Sequence, residues 1–375
     1  MSTNVSTRDL FATPNVTRVV RTIASPQDFV QRFLRLAPDN AVNVENRSGH
    51  DASWDIFNNT RELARARAPG SGPSTRKRQP AGHVFARIMR THDKININDE
   101  EVFRTRNLGT NMVDVTGQAY VARQEKYLGQ TFRNAREFMC SRMLRGSFMV
   151  KQDGDDWILC DSGGVFTVDY QVPAGNKAQL DILGEGSIID ASWATLSTDI
   201  PKQIMGINRA FGIKHGMPLR YALTNTKTFQ AYVMNNTKMQ AQAGTANTSW
   251  QEWRRSDYFN REGEQDTGFV VVHKAIPWLT WLLYDGVLDV DGTTTAIIPD
   301  DYVHFLPAPG EWVGGFNGSE LVRENKLAAP QEVFGMHAWV EPTTQPSGQE
   351  LIGVDNFLPV PYVPTAVTYA KIANY

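Results

Sequence analysis

The sequence predicts an α+β fold built from two domains. Three observations support this expectation: helical spacing of apolar residues over 111–145, alternating β-like segments from Ser147 onwards, and a length of 375 residues with 41% apolar and 21% charged side chains. A chain of this length exceeds what one hydrophobic core usually accommodates. The composition is that of a packed protein rather than a disordered one.

The N-terminal region is predicted to contain an arm followed by one short helix. Residues 1–24 are polar with scattered apolar positions, which favours an arm that needs a neighbour to order it. Ser25 as an N-cap and Pro26 in the first turn predict a helix over 26–36. Its apolar side chains fall at helical spacing: Phe29, Val30, Phe33 and Leu34. No secretory signal is recognisable, and the longest apolar run, 276–283, is too short for a membrane helix.

Residues 44–99 are predicted to form an extended loop, with β-like stretches on both sides of the glycine- and proline-rich segment 68–74. Between residues 61 and 90 there is one acid, Glu62, and eight basic residues: Arg61, Arg65, Arg67, Arg76, Lys77, Arg78, Arg87 and Arg90. This part therefore carries a charge of +7, and the rest of the chain carries −9. The separation favours a loop that lies across another copy, with a merely solvated loop as the alternative. The candidate inter-subunit contacts are Arg65, Arg67, Arg76, Lys77 and Arg78.

The strongest single element is a long helix over 111–145. Its apolar stripe consists of Val121, Leu128, Phe132, Ala135, Met139 and Met143, which predicts one face packed on a core. The other faces are expected to be solvated, and they carry Arg123, Glu125, Lys126, Arg133, Arg136, Glu137 and Arg142. Gly117 and Gly129 lie inside the helix and are candidate flex points, because each glycine costs about 1 kcal/mol relative to alanine.

The remainder is predicted to be rich in strands. Three antiparallel strands are expected at 147–151, 157–160 and 165–170. A mixed region follows, with helices over 200–211 and after Asn225, and strands at 219–223, 269–273, 278–284, 294–298 and 302–305. The apolar run 351–372 is interrupted by Pro359, Pro361 and Pro364, which is typical of an edge strand.

A search for reactive or metal-binding motifs predicts no catalytic, cofactor or metal site. Nucleophile elbows, P-loops and zinc-binding helices are absent from the sequence. Asp285, Asp289 and Asp291 are close together but lack the remaining ligands of an EF-hand, so a hairpin turn is the better interpretation. Cys140 and Cys160 show neither a disulfide nor a zinc pattern and are expected to be reduced thiols.

Two weaker patterns are also set aside. Gly184-Glu-Gly186 is a fragment of a dinucleotide-binding motif without its third glycine, and a loop explains it better. Trp250 and Trp253 beside two arginines come nearest to a platform for single-stranded nucleic acid, but aromatic and basic residues do not interleave there.

The order of three stretches resembles a known family. The first stretch consists of residues 33–36 and 42–45, followed by the basic Gly-Ser-Gly loop. The second consists of residues 96–103, which lead to the long helix 120–144. The third consists of 298–306, 335–340 and 349–361 continuing to Tyr369. Together they resemble the major capsid protein E family of tailed bacteriophages, the lambda-like group.

This resemblance implies the Hong-Kong-phage-type capsid fold, which tailed phages share with herpesviruses. Its parts would be an N-terminal arm (1–43), an extended loop (44–99), a peripheral domain with a spine helix (100–190 and 336–375) and an axial domain (191–335). The implied function is a major capsid protein that forms hexamers and pentamers of an icosahedral head around the DNA genome, without enzymatic activity or cofactor. Gly129 would let the spine helix flex as a precursor shell expands.

The implied partners are the chain itself, a portal, a decoration protein and packaged double-stranded DNA on the inner surface, with no membrane. A separate scaffolding protein is expected, because no long charged helix precedes residue 25. The implied location is the virion capsid, after assembly in the host cytoplasm. Two other functions are open at this stage: another virion part, such as a decoration or tail-tube protein, and an enzyme with an unrecognised site.

Overall fold

Two β-sheets and one long helix organise the chain in the computed structural model. The structure describes residues 13–22, 25, 27–56, 82–98, 113–154, 156–243, 251–254, 268–323, 329–344 and 347–373. The helices are α1 (Thr13–Thr22), α2 (Phe29–Phe33), α3 (Val113–Arg145), α4 (Ile200–His215) and α5 (Thr237–Ala243). A helical turn, Thr226–Thr228, continues as a π-helical turn over Phe229–Met234. No described helix has the length and apolar character needed to cross a membrane.

The strands in chain order are β1 (Val44–Arg47), β2 (Asp51–Ile56), β3 (Gly82–Arg87), β4 (Met89–Asn98), β5 (Ser147–Asp153), β6 (Asp156–Cys160), β7 (Phe166–Asp169), β8 (Lys177–Ala178), β9 (Leu219–Thr224), β10 (Gln251–Arg254), β11 (Gly268–His273), β12 (Thr280–Tyr284), β13 (Val287–Val290), β14 (Thr293–Ala296), β15 (Tyr302–Pro307), β16 (Val313–Val322), β17 (Gln331–Phe334), β18 (His337–Thr344), β19 (Ser347–Pro361) and β20 (Tyr369–Lys371). Strands β1, β4, β16, β17, β18 and β19 form one sheet, and seven strands form the other in the order β10-β11-β12-β9-β15-β20-β8. The expected three-stranded unit is confirmed, with β5 between β6 and β7.

The C-terminal strand β19 is the centre of the six-stranded sheet. It pairs with β4 on one side as far as Phe357, and with β18 and then β16 on the other. The expectation of an edge strand is therefore wrong for most of its length. Pro359 and Pro361 lie beyond Phe357, where only β16 pairs with it. The prolines, which cannot donate a ladder hydrogen bond, thus fall where one side of the strand needs no donor.

The long helix is confirmed as one continuous element of 33 residues that runs through Gly117 and Gly129. It packs on β19 at Gly353, where an added Cβ atom would lie 2.5 Å from the ring of Phe132. A glycine is therefore needed at this crossing for the helix to approach the sheet so closely.

The charged faces of α3 are not solvated as the periodicity predicted. Arg133 and Glu137 are completely buried, and three more charged residues are at most 3% exposed: Glu125, Arg136 and Arg142. Only Arg123 and Lys126 of the set are exposed. The sheet, α2 and the segment after α3 enclose the helix on several sides. Arg133 and Arg136 are paired with acids more than 100 positions away, and Arg142 with Asp161 of the segment after α3.

The N-terminal region is more ordered than predicted. Residues assigned to an arm form α1, whose Val16 and Val20 are fully buried against α3 and β18 of the same chain. A neighbouring copy is not needed to order this helix, because its apolar stripe has a partner in its own subunit. The next helix, α2, is shorter than the predicted 26–36, and Arg35 after it has a left-handed φ of 60°.

The helix and the hairpin turn predicted in the mixed region are both present, whereas the N-cap of α2 is Asp28 rather than the predicted Ser25. Helix α4 begins after Asp199, whose side chain accepts the backbone N–H of Lys202 at 3.0 Å. The predicted hairpin consists of β13 and β14, and its turn residues Asp291 and Gly292 both have positive φ. The buried apolar side chains of the seven-stranded sheet, α2 and α4 belong to one continuous core that extends to parts of β16 and β19. The rest of the six-stranded sheet contributes to two smaller clusters.

Candidate subunit interface

Buried charged residues of α3 bind this helix to other segments of the same subunit. Arg136 makes two hydrogen bonds to Asp355 of β19, at 2.6 and 2.5 Å. Arg133 binds Asp28 at 2.8 Å and Asp39 at 2.9 Å, and so holds the segment around α2 on the long helix. Buried charges are tolerated when they are paired and hydrogen-bonded in this way. These side chains are engaged inside the subunit.

The side chain of Glu137 caps the N-terminal end of α2. Its two carboxylate oxygens accept the backbone N–H groups of Val30 at 2.7 Å and Gln31 at 2.9 Å. Burial raises the pKa of Glu137 to about 8, while the two N–H donors act in the opposite direction. The carboxyl group therefore serves as a helix cap, and its contacts are structural.

An open groove of about 960 Å³ lies along another side of α3. Its walls come from α3, β4, the hairpin of β5 and β6, and the hairpin of β13 and β14. The helix contributes mainly uncharged side chains: Tyr127, Gln130, Thr131, Asn134, Ala135 and Phe138. The groove has the size and openness to receive an extended segment of polypeptide.

The groove is acidic. It is lined by Asp93, Asp153, Asp289 and Asp291, with Arg90 as its basic residue. Arg90 is bound to Glu320 at 2.9 and 3.1 Å, so its charge is balanced locally. Lys151 lies beside the groove and binds Asp291 at 2.9 Å.

His92 does not reverse this acidic balance. It lines the groove, and burial together with the nearby charge of Arg90 lowers the pKa of its imidazole. The ring is therefore neutral at neutral pH. The groove consequently presents a negative surface to any molecule that binds there.

Three large apolar side chains in this groove are unusually exposed. Tyr127 is 64% exposed, Trp157 58% and Val287 42%. They come from α3, β6 and β13, so three separate elements bring them to one place. Aromatic side chains exposed together beside polar residues are typical of a protein interface.

The positions singled out from sequence fall into two groups. Arg65, Arg67, Arg76, Lys77 and Arg78 lie outside the described residues. Gly117 and Gly129 lie within α3, and Gly129 is buried. The base of the extended loop is visible in β2, β3 and β4, and Arg90 at this base is held by Glu320 of β16.

Sequence reasoning missed the groove itself. Asp289 and Asp291 were recognised only as turn residues, and Tyr127 and Trp157 received no role. The available signal was the excess of acid outside residues 61–90, but this excess does not show which acids are neighbours. Among the described residues, no group of three or more histidine, cysteine or acidic side chains is arranged to hold a metal ion.

Comparison with protein families decides the class of protein. The model of the phage major capsid protein E family matches residues 15–372. The chain belongs to this family. The resemblance drawn from the three sequence stretches is thus confirmed, and the capsid protein is the subunit of an icosahedral phage head rather than a decoration or tail-tube protein.

The chain is also similar in fold to solved structures, of which the first has a TM-score above 0.5. A protein assigned as the capsid protein of an Escherichia coli CFT073 prophage has a TM-score of 0.54 and 15% identity, over 96% of this chain and 99% of that chain. A phage-related protein from Bordetella bronchiseptica RB50 has a TM-score of 0.48 and 12% identity, over 96% and 98% of the two chains. The capsid protein of the cyanophage P-SCSP1u has a TM-score of 0.46 and 12% identity, over 89% and 86%.

The predicted Hong-Kong-phage-type fold is confirmed, with its long helix and two main sheets. A search of curated protein sequences finds no match.

Proposed function

We propose that the basic segment around residues 65–78 of one capsid protein lies in the acidic groove of an adjacent copy, and that this contact joins subunits into the hexamers and pentamers of the head. The observation that carries the proposal is the groove itself, which combines four aspartates with the exposed side chains of Tyr127, Trp157 and Val287. The segment that would enter it has the opposite charge.

The chemistry of the two surfaces is complementary. Arginine and lysine side chains can pack their aliphatic stems on aromatic rings while their charged ends reach carboxylates. Each such contact near solvent is weak, of the order of 1 kcal/mol. A closed shell repeats it many times, so that modest contacts give a stable assembly and misplaced subunits can still dissociate.

The base of the loop supports the same arrangement. Strand β4 pairs with β19, and Arg90 binds Glu320, so the end of the loop nearest the groove is fixed to its own subunit. Twenty-five residues separate β2 from β3. Extended polypeptide spans about 3.3 Å per residue, so a loop of this length can reach a neighbouring subunit.

Charge reversal tests the contact. Changing Arg76, Lys77 and Arg78 to glutamate should abolish shells and leave a folded 42.0 kDa monomer, as judged by electron microscopy, light scattering and circular dichroism. Changing Asp153 and Asp289 to lysine should have the same effect from the other side. Mixing the two variant proteins should restore association between unlike copies, because the loop of each is then opposite in charge to the groove of the other, and one chain carrying both sets of changes should form shells again.

The controls separate a specific contact from a general effect of charge. Glu185 and Glu311 are exposed acids outside the groove, and changing both to lysine alters the net charge by the same amount as the groove variant. This control should assemble normally. Unchanged shells from the Arg76, Lys77 and Arg78 variant, or a failure of the doubly reversed chain to recover, would contradict the proposal.

Membership of the family supports the remaining parts of the proposal. We propose the domain division predicted from sequence and a purely structural role without enzymatic activity. Its partners besides itself are a scaffolding protein, a portal, a decoration protein and packaged double-stranded DNA, and assembly takes place in the host cytoplasm. Expression with and without the neighbouring genes, followed by electron microscopy, tests these partners through the change in yield and shape of the shells.

A further inference from the structure

Strand β6 is an open edge of its sheet, and this edge borders the acidic groove. The three-stranded sheet has the order β6-β5-β7, so β6 pairs with β5 on one side and, within the part of the chain that the structure describes, with no strand on the other. Residues 157–159 of β6 line the groove. An open edge presents unpaired N–H and C=O groups that a further strand can bind.

The hydrogen bonds between β5 and β7 show which residues of β5 face which neighbour. In an antiparallel sheet, alternate residues of a strand direct both of their backbone groups to the same side. Tyr170 donates its N–H to the carbonyl of Gly146 at 3.0 Å, and Val165 donates its N–H to the carbonyl of Val150 at 2.9 Å. The even-numbered residues of this strand therefore face β7, and its odd-numbered residues face β6.

Trp157 and Leu159 consequently direct their backbone N–H and C=O groups to the open side of β6. The odd-numbered Lys151 lies opposite Ile158, so Ile158 is the residue that turns its backbone groups to β5. Its two neighbours in the strand turn theirs the opposite way. No hydrogen bond to these groups is found among the described residues. The side chain of Trp157 is also largely exposed in the groove.

A second open edge in the groove belongs to β13, and it carries a charge. Ile297 donates its N–H to the carbonyl of Gly286 at 2.9 Å, and by the same alternation Val287 and Asp289 face the open side of β13. Charged side chains on an edge strand oppose pairing with another strand. The corresponding residues of β6 are tryptophan and leucine, so β6 is the edge better suited to accept a strand.

Segment 74–79 of the extended loop has the properties of a partner strand. Its sequence, Ser-Thr-Arg-Lys-Arg-Gln, lies between Pro73 and Pro80 and contains neither proline nor glycine. Every residue in it therefore has an N–H to donate. Its six residues are enough to pair with the five residues of β6. Its three positive charges are opposite in sign to the aspartates of the groove.

We propose that residues 74–79 of one copy bind in the groove of an adjacent copy as an added strand, paired with the backbone groups of Trp157 and Leu159. This inference rests on the proposed function and adds the mode of binding to it. Backbone hydrogen bonds supply affinity in strand addition, and side chains supply the choice of segment. The sheet of β5, β6 and β7 thus gains a fourth strand from a neighbouring subunit.

N-methylation of a peptide tests the strand pairing. The receptor is the full chain with Arg76, Lys77 and Arg78 changed to glutamate, so that its own loop does not compete, at a concentration below that of shell formation. The probe is a peptide of residues 72–81, methylated on the backbone nitrogens of either Thr75 and Lys77 or Arg76 and Arg78. Because alternate N–H groups face β6, one methylated peptide should bind at least tenfold more weakly than the unmethylated peptide, the effect of losing two hydrogen bonds. The other should bind almost as well, as measured by fluorescence anisotropy.

Two variants of the same receptor test the pairing from the groove. Trp157→Pro and Trp157→Ala both remove the indole, but only proline also removes the N–H that faces the open edge. This N–H is not part of the ladder between β5 and β6, so the ladder keeps its hydrogen bonds in both variants. We expect Trp157→Pro to bind the unmethylated peptide about fivefold more weakly than Trp157→Ala, with the same circular dichroism.

Hydrogen exchange covers the case in which Trp157→Pro does not fold. Binding of the unmethylated peptide to the receptor should slow deuterium exchange at the N–H groups of Trp157 and Leu159. The N–H of Ile158 is the internal control, because it already faces β5 and should not change.

The outcomes separate the strand pairing from the proposed function. Equal binding of the two methylated peptides, or unchanged exchange at Trp157 and Leu159 while the peptide is bound, would overturn the strand pairing and leave the charge contact standing. Protection of Val287 and Asp289 instead would overturn the choice of β6. An unmethylated peptide that does not bind would contradict both the strand pairing and the proposed function.

Discussion

Glu125 is a buried carboxyl group on α3 with no charged partner among the described residues. The residue is 3% exposed, and its Oε1 atom has no hydrogen-bond partner among the described residues. Burial raises the pKa of this group from its ordinary value of 4.5 to about 7. It therefore differs from Glu137 on the same helix, whose oxygens accept two backbone N–H groups.

The raised pKa of Glu125 predicts a loss of stability as the pH rises. Below about pH 4.5 the carboxyl group is protonated in both the folded and unfolded protein and has no effect. Between pH 4.5 and 7 the unfolded chain releases this proton first, so the free energy of unfolding falls. Glu125→Gln should remove this dependence and stabilise the protein by about 1–3 kcal/mol at pH 8, with little change at pH 4.

Thermal unfolding of the monomer at pH 4, 6 and 8 measures this effect. Glu185→Gln is the matched control, because Glu185 is exposed and its substitution should not alter the pH profile. The stability gained by Glu125→Gln should be larger at pH 8 than at pH 4. If the gain is the same at both pH values, the carboxyl group of Glu125 is solvated or paired.

The buried arginines show what a sequence pattern omits at the scale of single residues. Helical periodicity correctly placed Val121, Leu128 and Phe132 on a buried face. It placed Arg136 in solvent, although that residue binds Asp355, which is 219 positions away in the chain. A charged residue is predicted to be exposed unless its partner is known. A partner so distant in the sequence leaves no local signal.

At the scale of elements, local signals were sufficient where an element depends on its own residues. The hairpin of β13 and β14 and the three strands after α3 follow from turn residues and alternation. Helix α1 was missed because its polar composition resembles an arm, and its stability comes from contact with α3 and β18. The strand β19 was misjudged because prolines mark only its last part as an edge.

The two glycines of α3 give an element-scale prediction. The helix is continuous through Gly129, yet glycine leaves the backbone freer to bend than alanine does. We expect Gly129→Ala to stiffen the helix, with a helix-propensity gain of up to about 1 kcal/mol, and to delay or block the expansion of a precursor shell. Electron microscopy and the temperature of the expansion transition measure this change.

Arg123→Ala is the control for that experiment. Arg123 is exposed on the same helix, so the substitution changes a side chain without altering either glycine, and expansion should proceed normally. Gly117→Ala tests the second position separately. Normal expansion of the Gly129→Ala shell would contradict the bending role of this glycine.

At the scale of the whole molecule, the charge separation was predictable and its location was not. Counting residues gave +7 for 61–90 and −9 elsewhere. The groove requires Asp93, Asp153 and Asp289 to meet, and they lie on β4, β5 and β13. Only the packing of these elements around α3 shows that part of the acidic excess is concentrated beside Trp157 and Tyr127.

An assembly that depends on this charge complementarity should be sensitive to salt. The screening length falls from about 10 Å at 0.1 M to about 3 Å at 1 M salt, so added NaCl should slow the encounter of loop and groove. We expect the initial rate of shell formation, followed by light scattering, to fall at least tenfold between about 0.05 and 0.5 M NaCl. Apolar contacts are not weakened in this way, so they cannot produce the same slope.

Two groove variants distinguish the charged from the apolar contribution. Changing Asp153 and Asp289 to asparagine should slow assembly at low salt and flatten its dependence on NaCl, because the attraction being screened has been reduced. Trp157→Ala should reduce the amount of shell formed through loss of contact area, while the slope against salt remains that of the unchanged protein. Equal salt slopes for the aspartate variant and the unchanged protein would mean that the groove does not receive the basic segment, and the acidic partner would then lie elsewhere on the subunit.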